Sequence, residues 1–242
     1  MRQTTLSYSA DGLTMRSELF SSDDANGKRP GILVFPDAFG LGEHAMERCR
    51  SLAALGYAAL ACDIHGDAEK ISDVAGVMER VGPLMQDPQR TRARARGALD
   101  ALLDNPDVDN ARIVAIGFCF GGTMALELAR SGADIAGAIG FHSGLSTASP
   151  GDARNIRCKV LVCLGADDPV VDADQRAGFE AEMRTAGVDW QMNLYGGAVH
   201  SFTNPHIGDH AGTNPAIARY DAGADHRSWA EMRRFFDEIF TS

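Results

Sequence analysis

The 242-residue chain contains no apolar run long enough to cross a bilayer, and its first residues lack the apolar stretch of a secretion signal. Positive charge is also scarce, because 23 lysines and arginines are outnumbered by 33 aspartates and glutamates, for a formal net charge of −10. Such a deficit disfavours a polyanionic partner. We therefore expect a cytoplasmic protein that binds neither a membrane nor nucleic acid.

Cysteine is sparse, and its number is odd. The five cysteines are scattered along the chain, mostly inside apolar segments: Cys49, Cys62, Cys119, Cys158 and Cys163. This pattern fits neither a disulfide framework nor a zinc ribbon, so free thiols are expected. The remaining possible metal ligands match no compact ligand set, and a solvated loop is predicted for them: His206, Asp209, His210, Asp221, Asp225 and His226.

Short apolar runs alternate with helical patterns along most of the chain. The first 20 residues predict two strands that turn at Asp11-Gly12, a pair suited to positive φ. Further strands are predicted at 31–35, 57–62, 112–116, 135–141, 160–164 and 190–195, and helices at 43–55, 89–103, 123–130, 173–186 and 228–240. This alternation predicts one α/β domain over residues 1–242: a mostly parallel sheet, helices on both faces and an N-terminal antiparallel hairpin.

Two stretches of this pattern carry little functional signal. The segment 72–86 is an insertion whose apolar residues could line a pocket but fit ordinary packing equally well: Val77, Met78, Leu84 and Met85. Arginines alternate with other residues from Arg90 to Arg96, and a two-residue period spreads side chains around a helix, so a solvated face is expected there.

A cysteine lies where the strand at 112–116 is expected to turn sharply into a helix. The segment Gly117-Phe118-Cys119-Phe120-Gly121-Gly122 has the pattern G-x-C-x-G, which is the nucleophile elbow of α/β-hydrolases with sulfur in place of the serine oxygen. Glycines are needed on both sides because a strained turn leaves no space for a Cβ. The alternative is that Cys119 is a small buried core residue.

An acid and a histidine follow later strands. Ligands of open parallel sheets bind beyond the carboxyl ends of the strands, and Asp168 and His200 come after the strands at 160–164 and 190–195. The order Cys119, Asp168, His200 is that of α/β-hydrolases. Asp167 is the rival acid, but the spacing Gly165-x-x-Asp168-x-x-Val171 favours Asp168.

These residue types suit nucleophilic catalysis. A histidine and a helix N-terminus both favour the thiolate, which is the nucleophilic form of Cys119. His200 would transfer protons, and Asp168 would hold the imidazole in the required tautomer. The backbone N–H groups of Phe120 and Ala38 are the expected donors to the oxyanion of the tetrahedral intermediate.

These motifs resemble those of the dienelactone hydrolases, cysteine-dependent members of the α/β-hydrolase fold. The resemblance covers nearly the whole chain and is carried by the segments 36–40, 56–58, 117–122, 165–168 and 195–202. It implies hydrolysis of a small ester or lactone, a Cys119, Asp168, His200 triad, and no cofactor or metal. It also implies that the acid in the loop before Phe39, here Asp37, contacts the resting cysteine and helps to activate it.

Two positions depart from the family members that act on dienelactone. Those proteins have glutamate where this chain has Asp37, and an arginine four residues after the catalytic histidine, where this chain has Asn204. An arginine binds a carboxylate through two charge-assisted hydrogen bonds, whereas an asparagine cannot. The substrate is therefore predicted to be a small ester or lactone other than dienelactone, with Asn204 as a candidate contact.

Other functions remain as alternatives. A cysteine at such an elbow also occurs in redox and chaperone-like proteins, but these typically have histidine directly after the cysteine, where this chain has Phe120. A non-catalytic small-molecule binding module is the second alternative. His142 also follows a strand and could reach the edge of the site, but it is expected instead to be satisfied by local backbone groups. The oligomeric state is not determined by the sequence.

Overall fold

The computed structural model describes residues 1–23 and 27–240. The strands are β1 (Arg2–Ala10), β2 (Leu13–Ser21), β3 (Arg29–Phe35), β4 (Ala58–Ala61), β5 (Val108–Phe118), β6 (Gly137–Phe141), β7 (Lys159–Gly165) and β8 (Trp190–Tyr195). The α-helices are α1 (Glu43–Ala54), α2 (Val74–Gln86), α3 (Pro88–Leu103), α4 (Phe120–Arg130), α5 (Ala173–Ala186) and α6 (Ala222–Phe240).

All of these strands form one sheet in the order β1-β2-β4-β3-β5-β6-β7-β8. Strand β2 pairs antiparallel with β1 and β4, and every other pairing is parallel. The β1–β2 hairpin turns at Asp11 and Gly12, whose φ values are 50° and 72°. The predicted fold class, a mostly parallel α/β sheet that begins with an antiparallel hairpin, is confirmed.

Both faces of the sheet are covered, as the continuous apolar strands predict. In β3 the side chains alternate: Ile32 and Val34 pack with α1 and α6 on one face, and Leu33 and Phe35 pack with α3 and α4 on the other. Helix α5 packs beside α4 against the β7 end of the sheet. In the part of the chain that the structure describes, no helix is long and apolar enough to cross a membrane.

The largest differences from the predicted helices concern α2 and α6. The segment 72–86 contains helix α2, which begins where the Asp73 side chain accepts a hydrogen bond from the Gly76 N–H. Helix α6 begins at Ala222, so the prediction of a solvated loop for Asp225 and His226 is wrong. The Asp221 carboxylate accepts from the Ala224 N–H, an N-terminal capping contact that allows the earlier start.

The prediction of a solvated face for the arginines of α3 holds for Arg90 and Arg96 but is wrong for Arg92 and Arg94. Arg92 and Arg94 are buried. Arg92 binds Glu127 at 2.8 Å and Asp152 at 2.6 Å, and Arg94 binds Asp11 at 2.9 Å. The residue period alone could not reveal this, because α3 lies between the β1–β2 hairpin and α4, and each of these neighbours provides acids for one side of the helix.

Candidate active site

Three predicted site residues meet beyond the carboxyl ends of parallel strands. Cys119 directly follows β5, Asp168 follows β7, and His200 follows β8. Strands β5, β6, β7 and β8 are successive parallel neighbours in the sheet, so their carboxyl ends lie along the same edge. The topology therefore brings together residues that are far apart in the chain.

Cys119 forms the turn between β5 and α4 in a strained conformation, with φ of 54° and ψ of −121°. The flanking glycines make this turn possible. A Cβ on Gly117 would overlap the carbonyl of Gly121, and a Cβ on Gly121 would overlap the carbonyls of Phe35 and Pro36. The N-terminus of α4 therefore lies directly against the loop that follows β3.

Cys119, His200 and Asp168 form a continuous hydrogen-bonded chain. Nε2 of His200 lies 3.1 Å from Sγ of Cys119, and Nδ1 of His200 donates to Oδ2 of Asp168 at 2.8 Å. The other carboxylate oxygen of Asp168 accepts from the N–H groups of Val170 and Val171. His200 and Asp168 are buried, whereas Cys119 is partly exposed. The sulfur is thus the member of the chain that a small molecule can reach.

The electrostatics of the chain favour a protonated His200. Burial alone lowers the pKa of this imidazole, but the charge of Cys119 and the hydrogen bond and charge of Asp168 outweigh burial and raise the pKa to about 10. A protonated imidazole next to the sulfur stabilises the thiolate. His200 is therefore a cation beside the Cys119 sulfur near neutral pH.

Asp167, the rival acid, points elsewhere. Its carboxylate accepts from the N–H of Gly197 at 3.1 Å in an exposed position. Neighbouring residues after a strand point to different sides, so only one of the two carboxylates can face His200. The structure places Asp168 there.

Two backbone N–H groups at the site lack acceptors within the described residues. These are the N–H groups of Phe120, the first residue of α4, and Ala38, in the loop after β3. The carbonyl of Ala38 accepts from Nε2 of His65 at 2.9 Å, which fixes this part of the loop. Since α4 lies against the same loop, both unpaired donors belong to one region of the site, as an oxyanion hole requires.

Asp37 and Asn204 contact each other. The amide of Asn204 donates to Oδ2 of Asp37 at 2.8 Å, and the N–H of Phe39 donates to Oδ1 at 3.1 Å. Both side chains are buried, and burial raises the pKa of Asp37 although its hydrogen bonds and two nearby histidines oppose the shift. The structure therefore pairs Asp37 with Asn204, while the Cys119 sulfur is hydrogen-bonded to His200.

Two histidines outside the Cys119–His200–Asp168 chain contact loops of the candidate site. The expectation that local backbone groups satisfy His142 is wrong: its Nδ1 accepts from the N–H of Cys119, 23 residues earlier, and its Nε2 contacts the Thr203 side chain, 61 residues later. His65, which holds the Ala38 carbonyl, is not among the residues that the sequence motifs single out. The available signal was its position shortly after β4, at the same sheet edge.

A cavity of about 250 Å³ adjoins this region. Its lining includes Asp37, Phe39, His44, Asn204, His206 and His210. The ring of His210 stacks on that of Phe39 with centroids 3.7 Å apart. Within residues 1–23 and 27–240, no group of three or more His, Cys, Asp or Glu side chains is arranged to hold a metal ion.

Comparisons with known proteins agree on a family. The profile described as "Dienelactone hydrolase family" matches residues 15–240. A solved dienelactone hydrolase-like promiscuous phosphotriesterase from metagenomic libraries is 44% identical, with a TM-score of 0.92 and 98% coverage of both chains. A Methylorubrum extorquens protein named "Putative carboxymethylenebutenolidase" is 28% identical over 97% of this chain and 84% of its own length.

Proposed function

Because this chain belongs to the dienelactone hydrolase family and is an ester or lactone hydrolase, we propose that it cleaves its substrate through a thioester on Cys119. The observation that carries the proposal is the hydrogen-bonded chain from Sγ of Cys119 through His200 to Asp168, with distances of 3.1 Å and 2.8 Å. A nucleophile, a base and an orienting acid in hydrogen-bond reach are the parts that acyl transfer requires.

In the acylation step, His200 holds the proton of the Cys119 thiol and the thiolate attacks the carbonyl carbon of the ester. The carbonyl oxygen becomes an oxyanion and accepts from the N–H groups of Phe120 and Ala38. The carbon–oxygen bond then breaks, and His200 delivers its proton from Nε2 to the departing alkoxide. The product of this step is a thioester on Cys119 and a free alcohol; from a lactone, the alcohol stays attached to the acyl group.

In the deacylation step, neutral His200 takes a proton from water, and the resulting hydroxide attacks the thioester carbon. The same two N–H groups bind the second oxyanion. The carbon–sulfur bond breaks, the carboxylic acid leaves, and the Cys119 thiolate is again paired with protonated His200. Asp168 remains ionised and stabilises the imidazolium in both steps.

Asp37 has a supporting role in this proposal. Its hydrogen bonds to the Phe39 N–H and the Asn204 amide hold the loop that carries the Ala38 N–H. Direct activation of the cysteine, which the family resemblance implies, would require the sulfur to turn away from His200 and toward this carboxylate. Asp37 would therefore act on the thiol before substrate binds, and the His200 pair would act during the reaction.

Asn204 bears on the choice of substrate. Its amide is already bound to Asp37, and it carries no charge. A carboxylated lactone would thus find no bidentate cation at this position, and a neutral small ester or lactone is the better match.

Phosphotriesters are a second candidate substrate class. The solved relative at 44% identity over 98% of both chains is described as a promiscuous phosphotriesterase. In such a reaction the Cys119 thiolate would attack phosphorus and displace an alkoxide or phenolate, and water would then cleave the sulfur–phosphorus bond. Turnover of a p-nitrophenyl phosphotriester, followed by release of p-nitrophenolate, tests this class directly.

The deciding experiment compares hydrolysis of p-nitrophenyl acetate by the wild-type protein, Cys119→Ala and Cys158→Ala. Cys158 is buried away from the triad and serves as a matched control. We expect turnover in the wild type and the control, loss in Cys119→Ala, and an acetylated Cys119 in the intact mass of the wild type. Equal turnover in all three proteins would contradict the cysteine mechanism, and absence of turnover in all three would favour a redox or binding role.

A further inference from the structure

His142 is fully buried directly after β6 and takes no part in the proposed proton transfers. Its imidazole nevertheless touches both halves of the active site. Nδ1 lies 3.1 Å from the backbone nitrogen of Cys119, and Nε2 lies 2.8 Å from Oγ1 of Thr203. One ring therefore connects the nucleophile turn to the segment that follows the catalytic histidine.

The partners determine the tautomer of this ring. A backbone N–H can only donate, so Nδ1 of His142 must be the unprotonated acceptor, and Nε2 carries the hydrogen. Nε2–H then donates to the Thr203 hydroxyl. Burial and the neighbouring His200, His44 and Arg48 hold the pKa of His142 well below its usual value, so the ring stays neutral.

Thr203 is itself held firmly at the other end of this connection. Its carbonyl accepts from Arg48 at 2.8 Å, and Arg48 also binds Asp225 at 2.6 Å. Its hydroxyl lies 3.5 Å from Nε2 of His44. Thr203 belongs to the same short turn as His200, Ser201 and Phe202, in which Ser201 has a φ of 57°. A contact that fixes Thr203 therefore restrains the backbone beside His200.

The Cys119 end of the His142 connection lies in a strained turn. Cys119 adopts a positive φ, and its N–H already donates to the Phe141 carbonyl at 2.9 Å. The additional acceptor on His142 favours the peptide orientation that this strained turn needs. Both ends of the His142 bridge thus act on backbone whose position sets the distance between Sγ and Nε2.

We infer that His142 is a positioning residue that ties the Cys119 turn to the His200 turn through Thr203 and so holds the sulfur within hydrogen-bond reach of the base. The inference rests on the proposed function, because it concerns the same nucleophile and base. His142 exchanges no proton with the substrate. Its effect is on the geometry of the Cys119–His200 pair.

The first test removes only the hydroxyl at the centre of the bridge. Thr203→Val keeps the shape but cannot accept from His142, whereas Thr203→Ser keeps the hydroxyl. For p-nitrophenyl acetate, we expect Thr203→Val to lower kcat about tenfold with little change in KM, and Thr203→Ser to stay close to the wild type. Wild-type kcat in Thr203→Val, or equal losses in both variants, would overturn the inference.

Thr91→Val is the control for simple loss of a buried threonine bond. The Thr91 hydroxyl donates to the Leu84 carbonyl at 2.8 Å, in a buried position outside the triad. If a kcat loss in Thr203→Val merely reflected lower stability, Thr91→Val with the same drop in thermal midpoint would show the same loss. We expect its kcat to remain at the wild-type level, and an equal loss would overturn the inference.

Variants of His142 itself provide a second test of the inference. The amide oxygen of asparagine can replace the Nδ1 acceptor, and the amide nitrogen of glutamine can replace the Nε2 donor. We expect His142→Asn and His142→Gln each to retain more activity than His142→Leu, which keeps neither bond. Wild-type kcat in His142→Leu would overturn the inference, as would equal losses in all three variants.

Alkylation of Cys119 by iodoacetamide separates this inference from the hydrolase proposal. The alkylation rate at one pH reports the thiolate held by His200 and does not require ester turnover. If the wild type hydrolyses no ester but alkylates quickly, and Thr203→Val alkylates about tenfold more slowly, the hydrolase proposal fails and the inference stands. Equal alkylation rates in the two proteins contradict the inference whatever the hydrolysis result.

Discussion

Asp168 accepts a hydrogen bond from Nδ1–H of His200 at 2.8 Å, and its side chain is completely buried. In Asp168→Asn the shape is kept but the charge is lost, and the amide NH₂ can face Nδ1 only if Nδ1 gives up its proton. The proton then moves to Nε2, the atom that must receive the thiol proton of Cys119. We therefore predict that Asp168→Asn keeps its fold and loses most of its activity.

The magnitude follows from the contact that is lost. A hydrogen bond to a charged group contributes about 1.5–3 kcal/mol, which corresponds to about a 10-fold to 150-fold loss in kcat/KM. The pH dependence gives a second signature. In the wild type, His200 keeps its proton as the pH rises until about 10, so activity that depends on the protonated imidazole is lost above that pH. Without the hydrogen bond and charge of Asp168, this alkaline limit moves to lower pH.

The assay is hydrolysis of p-nitrophenyl acetate over a range of pH, with Asp167→Asn as the matched control. Asp167 is the adjacent residue, but its carboxylate binds the Gly197 N–H instead of His200. We expect Asp167→Asn to show nearly wild-type kcat/KM and an unchanged alkaline limit. The assignment of Asp168 is refuted if Asp167→Asn loses as much activity as Asp168→Asn, or if Asp168→Asn keeps the wild-type rate and pH profile.

Two further predictions follow from close contacts in the site. Gly121→Ala would push a Cβ into the Phe35 and Pro36 carbonyls and should lower the free energy of unfolding by about 1–3 kcal/mol in urea titrations. Gly178→Ala, in open space on helix α5, should instead raise it by about 0.5–1 kcal/mol, and equal effects would contradict the steric argument. Asn204→Arg places a guanidinium beside Asp37. We expect KM for a carboxylated lactone to fall about tenfold and KM for p-nitrophenyl acetate to stay unchanged. Parallel changes in both KM values would show that Asn204 does not select for charge.

Local patterns in the chain predicted the fold well because they reflect short-range constraints. The Asp11-Gly12 turn, the boundaries of α5 and β8, and the order of strands and helices follow from periodicity and turn chemistry. Helix α2 was not predicted because it contains Pro83, and only Val81 and Leu84 within it are buried. A proline inside a segment argues against a helix, but Pro83 lies within the last turn of α2, where the helix can accommodate it.

The buried ion pairs of α3 show a different limit. The burial of Arg92 depends on Glu127 of α4 and on Asp152, which follow it by 35 and 60 residues. A charged side chain is buried only where partners from other elements compensate for its lost hydration. The sequence next to Arg92 does not indicate that these acids lie beside it in the folded protein.

By itself, the sequence determined which residues could do the chemistry: the G-x-C-x-G turn that only glycines permit, and the order of cysteine, acid and histidine, each after a predicted strand. Only the tertiary structure decided which acid faces His200, that Asp37 pairs with Asn204, and that His142 connects Cys119 to Thr203. The physical reason is the separation along the chain over which each interaction acts. Steric limits at a turn act between neighbours in the chain, whereas these hydrogen bonds join residues separated by up to 167 positions, and their geometry exists only once the sheet has brought the strand ends together.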